Sequence, residues 1–128
     1  MFRNKKIQGV TLPELLIAVF VLSIGILSAL MFFTSAMIAT ETARDMTVAT
    51  THAEYTLEEM KDRSTLANIT STNWTSWAST ASLATLPSET LTVTIANSSA
   101  DPLDITVTVG WTKKGRTSNV ALRTEIHK

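Results

Sequence analysis

The sequence predicts an α+β protein in which a long N-terminal α-helix packs on a small antiparallel β-sheet, and two observations carry that expectation. No proline or glycine interrupts residues 31–63, where apolar or small side chains recur in steps of three and four. After Pro87 the period changes to two, and three runs of alternating apolar residues follow, parted by turn-forming segments. A chain of 128 residues has room for one domain. Setting aside a membrane segment leaves roughly 90 residues to build a core. Cysteine is absent, which excludes a disulfide framework and a thiolate metal site, so the core must hold by packing.

The helix begins in an apolar run. From Leu15 to Phe33 nineteen consecutive residues carry no charge, and only Ser23, Gly25 and Ser28 break the apolar character. At ~1.5 Å per residue such a run spans about 28 Å, close to the ~30 Å hydrocarbon layer of a bilayer. Arg3, Lys5 and Lys6 precede it and Glu41 opens the far flank, so the positive-inside bias puts the N-terminus in the cytoplasm and everything after about residue 40 outside. Beyond those three cations the chain is mildly acidic. A secretory signal peptide cleaved near Ser35-Ala36 or Ala39 is a poorer reading, because the run exceeds a ~7–15-residue h-region and Pro13 and Glu14 stand where it would begin. An uncleaved single-span anchor is the other alternative. Gly25 weakens the middle of the helix by ~1 kcal/mol in propensity and marks a point of local melting or of close packing.

The junction ahead of this run is specific. A short basic leader ends in Gly9, four uncharged residues follow, and one acid, Glu14, precedes the membrane helix. An ionised carboxylate at the edge of an apolar segment is costly unless paired, so it is read as functional. Thr11-Leu12-Pro13-Glu14 also fits a capping box with proline in the first turn. The string Gly9-Val10-Thr11-Leu12-Pro13-Glu14-Leu15-Leu16-Ile17-Ala18-Val19 resembles the type III signal of type IV pilins and pseudopilins. The resemblance implies cleavage between Gly9 and Val10 by a prepilin peptidase and N-methylation of the new amine at Val10. It also implies that Glu14 pairs with the N-terminal amine of a neighbouring subunit in a helical filament, built at an inner-membrane assembly platform. Val10 stands where phenylalanine is commonest in that family, and Pro13 fills the variable position.

Past the membrane run, Ala36, Ala39, Ala43, Met46, Thr50, Ala53, Leu57 and Met60 form one stripe, expected to face a sheet. Glu41, Arg44, Asp45, Glu54, Glu58, Glu59, Lys61 and Asp62 fall off it and are expected to be solvated or to face other subunits. His52 has no metal partner nearby in sequence and is expected at the surface. Between Ser64 and Ser99, seventeen of thirty-six residues are Ser or Thr, which predicts an exposed connector. Within it Trp74 and Trp77, three apart, are expected to share one face of a helical turn and fasten the connector to the core. Three matches to the Asn-x-Ser/Thr acceptor pattern, at Asn68, Asn73 and Asn97, are short enough to arise by chance and are assigned no role.

The three strands are expected around Leu91, Val93 and Ile95; around Leu103, Ile105, Val107, Val109 and Trp111; and around Val120, Leu122 and Ile126. Asn97 to Pro102 and Lys113-Lys114-Gly115-Arg116 supply the turns of a meander, whose apolar face the helix stripe would cover. Ile105-Thr106-Val107-Thr108-Val109-Gly110-Trp111 and Val120-Ala121-Leu122-Arg123-Thr124 are similar to the sheets of minor pilins of the pilus-modification kind and of I-type pseudopilins. The expected organisation is therefore a cleaved leader at 1–9, a helix at 10–63 with about 12–35 in the membrane, and a connector and sheet at 64–128.

No Ser-His-Asp or Cys-His set, acid pair or phosphate-binding loop stands at an informative spacing, so no catalytic, cofactor or metal residue is assigned and the chain is expected not to be an enzyme. The resemblance implies a minor pilin or pseudopilin, inserted in the inner membrane and then assembled into a pilus or a secretion-type pseudopilus. A DNA-binding competence-type pilin is the alternative, with Lys113, Lys114, Arg116 and Arg123 as a basic patch. Four charges without interleaved aromatics are a weak nucleic-acid signal, and a solvated hairpin turn accounts for them as well.

Overall fold

The computed structural model describes residues 9–128. Helix α1 runs from Leu12 to Asp62, followed by the short helices α2 (Leu66–Ser71) and α3 (Trp74–Thr80) and strands β1 (Thr90–Ile95), β2 (Leu103–Lys113) and β3 (Arg116–Ile126). The chain divides into two compact units, Met1–Thr40 and Glu41–Lys128.

In the first unit every described residue is exposed, and large apolar side chains from Leu12 to Ile38 surround the helix on all sides. A helix apolar all round belongs in lipid or in a core, and this one is long and apolar enough to cross a membrane. Its hydroxyls do not oppose that setting. Ser23, Ser28, Thr34 and Thr40 each donate to the carbonyl four residues earlier, at 2.8–2.9 Å. These four hydroxyls are thus satisfied within their own helix, as a hydrocarbon environment demands. The helix is continuous through Gly25.

The second unit is the α+β body. β1, β2 and β3 form an antiparallel meander in that order, with Leu91 opposite Val109 and Val107 opposite Leu122. Residues 103–111 of β2 alternate buried and half-buried without a break. Its fully buried Leu103, Ile105, Val107 and Val109 make the centre of the core. The 41–62 segment of α1 covers this face with Asp45, Ala49, Ala53, Thr56, Leu57 and Met60.

That buried line corrects the expected stripe. Ala53, Leu57 and Met60 are buried, but Met46 is 47% exposed, Ala36, Ala39 and Ala43 are exposed, and Ala49 and Asp45 take the inward positions. The buried residues Asp45, Ala49, Ala53, Leu57 and Met60 are spaced by four, four, four and three, where the expected stripe alternates fours and threes.

The Ser/Thr-rich connector is mostly exposed, as expected, and forms the two short helices α2 and α3. Thr65 Oγ1 accepts from Asn68 N (3.3 Å) and Asn73 Oδ1 from Ser76 N (3.1 Å), capping α2 and α3. The segment buries Ile69, Trp74, Ala78 and Leu86 in the core. Trp74 donates its indole N–H to the Ile69 carbonyl at 2.9 Å and meets Trp77 edge-on at 5.4 Å, while Tyr55 of α1 stacks on Trp77 at 5.9 Å. The tryptophan pair fastens the connector to the helix, as its spacing suggested.

Candidate processing and assembly site

Gly9, Val10 and Thr11 precede the helix as exposed, non-helical backbone. The carbonyl of Thr11 accepts the first helical bond, from Leu15 N at 3.1 Å, which makes Thr11 the N-cap. Glu14 reaches back so that its Oε2 accepts from Thr11 N at 3.4 Å, the carboxylate half of a capping box. An acid in the first turn also suits the positive end of the helix dipole. The bond between Gly9 and Val10 therefore lies in open backbone a few residues ahead of the acid, and the apolar helix follows directly. Arg3, Lys5 and Lys6, with the rest of residues 1–8, lie outside the described residues.

Residues 4–30 match the family model of the prokaryotic N-terminal methylation motif. The chain carries a type IV prepilin signal. The matched stretch takes in Gly9, Val10, Glu14 and most of the apolar run, and the motif and the apolar helix together support a pilin-type protein. No curated protein and no solved structure shows a significant match to the chain.

The other sequence-derived site, the basic patch, is largely spoken for. Lys113 Nζ lies 2.8 Å from Asp45 Oδ2 and 2.9 Å from Glu41 Oε1, and Lys114 Nζ lies 3.5 Å from Glu41 Oε2. Arg123 is held by Asp104 through Nε at 2.7 Å and through Nη2. Arg116 is exposed. Three of the four cations thus face carboxylates of this same chain, and a phosphate backbone would have to compete with them. Hydrogen bonding from Lys113, reinforced by its charge, holds the Glu41 carboxyl below its ordinary range, and the Asp45 and Glu41 carboxylates raise the Lys113 ammonium in return. The Arg123 guanidinium lowers Asp104 by the same means. Glu41 and Asp45 are therefore not simply solvated acids, and Asp45 is 8% exposed.

His52 departs from expectation too. Its ring is 12% exposed, with Nδ1 2.6 Å from Glu89 Oε1 and Nε2 3.5 Å from Thr85 Oγ1. Glu89, its side chain 3% exposed, accepts the backbone N–H groups of Thr85 and Leu86 on its other oxygen, both at 2.9 Å. Hydroxyl, imidazole and carboxylate stand in the order of a hydrolytic triad. However, the two nearby amides that could cradle an oxyanion are already bound to the carboxylate. The arrangement ties the 85–89 turn to α1. Among the described residues no three His, Cys, Asp or Glu side chains are grouped to hold a metal ion.

Proposed function

We propose that this chain is a minor pilin or pseudopilin, a structural subunit and not an enzyme. In this reading it is inserted in the inner membrane with its N-terminus cytoplasmic, and a prepilin peptidase cuts between Gly9 and Val10. The new amine at Val10 is methylated, and the helix then packs among those of other pilin subunits in a type IV pilus or a secretion-type pseudopilus. The single observation that carries this reading is the prepilin signal joined without interruption to an apolar helix.

The acid has a specific part in it. Before cleavage the Glu14 carboxylate has the Thr11 amide as its partner. Cleavage creates a cationic amine four residues upstream, and in a filament the amine of a neighbour offers Glu14 a charged partner where the surroundings are apolar, so the pair sets register. Mass spectrometry of the N-terminus of the protein from its native host tests the processing step. A start at Val10, with or without one added methyl group, supports it, and a retained Met1 overturns it. Glu14→Ala tests the assembly step, since it should leave membrane insertion intact and reduce incorporation into filaments. Normal incorporation of that variant would exclude the assembly contact.

A further inference from the structure

The two edges of the sheet are treated differently. α3 lies against β1, and Thr75 donates its hydroxyl to the Leu91 carbonyl on that edge. β3 is an eleven-residue edge strand with no such cover among the described residues. Of the devices that blunt exposed edges it lacks proline, a bulge and inward-pointing charge. It contains no proline, its register with β2 runs one-to-one from Leu103↔Ile126 to Lys113↔Arg116 without a bulge, and the side chains on its inner face from Ser118 to Ile126 are uncharged.

The hairpin fixes which backbone groups are free. Lys113 and Arg116 flank a two-residue turn and so exchange both their hydrogen bonds. Counting along β3, the even-numbered residues bond to β2, and Thr117, Asn119, Ala121, Arg123 and Glu125 turn their N–H and C=O groups to the open edge. Val120 and Leu122, on the inner face beside that edge, are only partly buried, so a further strand would complete their burial. On the outer face the two charges closest together at the edge are Arg123, whose side chain is 70% exposed and whose guanidinium gives Nε and Nη2 to Asp104 with Nη1 left for a further carboxylate, and Glu125 two residues on.

From this geometry we infer that the β3 edge is a strand-addition site for an extended segment of another polypeptide. The segment pairs antiparallel, alternates apolar with polar residues, and carries Lys-x-Glu so that Lys falls opposite Glu125 and Glu opposite Arg123. Main-chain bonds supply the affinity and the two charges fix the register. This inference does not depend on the filament reading, because it concerns the sheet alone.

The probe is the labelled peptide Thr-Val-Lys-Val-Glu-Val-Thr-Val-Thr, titrated by fluorescence anisotropy against the full-length chain in detergent micelles. Saturable binding is expected, and the peptide with Lys and Glu exchanged should bind about fivefold more weakly, the scale of two cross-strand charge pairs. The double variant Arg123→Glu/Glu125→Arg should invert that preference. Ala121→Pro deletes one edge N–H without touching the β2 ladder and should abolish binding. Absence of saturable binding, equal affinity for the two peptides, or an uninverted preference in the double variant overturns the inference. Those charge comparisons decide the matter even if Ala121→Pro fails to fold.

Discussion

Lys113, at the end of β2, places its ammonium 2.8 Å from the carboxylate of Asp45, which lies on the buried face of α1 sixty-eight residues away. This contact lets an acid occupy an inward position where the helix would otherwise need an apolar residue. Lys113→Met should therefore destabilise the body by leaving Asp45 without its cation, and Asp45→Asn in that background should recover part of the loss. Lys114→Met should cost less, because its side chain is 78% exposed and it stands 3.5 Å from Glu41. All three tryptophans lie in the 41–128 unit, so their fluorescence during urea unfolding reports the comparison.

The same contacts set a pH dependence. Glu41 and Asp104 are held below their ordinary values in the fold, so each favours the folded state above its unfolded pKa, and that contribution is lost as pH falls through the lowered value. Lys113 is raised, so its contribution is present below its ordinary 10.5 and is lost as pH rises through the higher folded value. Unfolding midpoints should hold level across neutral pH and decline in acid. Glu41→Gln and Asp104→Asn should each flatten the acid limb, and a limb of unchanged slope in both variants would contradict the assignment.

His52 and Glu89 make a second long-range tie. With the imidazole removed, the Glu89 carboxylate, 3% exposed, keeps its two backbone donors and loses the partner on its other oxygen. His52→Ala should cost about 1–3 kcal/mol, the range for leaving a buried polar group short of a partner. Thr85→Ala removes only a 3.5 Å contact and should change stability much less. Equal losses in the two variants would show that the imidazole–carboxylate contact is not what holds the turn.

What the sequence disclosed depended on whether the information was local. The prepilin signal is read within a few residues of Gly9, and the β2 alternation is set by a two-residue period, so both were legible. Asp45 and His52 were misjudged because their partners, Lys113 and Glu89, come from 68 and 37 residues away and leave no trace in periodicity. The connector is mostly exposed, as its Ser and Thr content indicates, while the caps at Thr65 and Asn73 are Thr and Asn among many and give no separate signal. The helix stripe was traced in alternating threes and fours, whereas the buried line from Asp45 to Leu57 runs in fours.

The β2–β3 turn offers a test in which two neighbouring residues should respond in opposite directions. Lys114 and Gly115 both have positive φ, 51° and 76°, as a type I′ hairpin turn requires. Glycine meets that requirement without steric cost, and any other side chain at Gly115 is strained although nothing lies within 4 Å of where a Cβ would be. Gly115→Ala should therefore destabilise by about 1–2 kcal/mol, the cost of a left-handed conformation for a residue with a Cβ. At Lys114 the position is already occupied by a residue poorly suited to it. Lys114→Asn should stabilise the hairpin, because asparagine tolerates that conformation and only the long contact to Glu41 is lost. Urea midpoints moving down for Gly115→Ala and up for Lys114→Asn would establish that backbone conformation, rather than the Lys114 charge, governs this turn. A fall in both would assign the larger role to the ion pair.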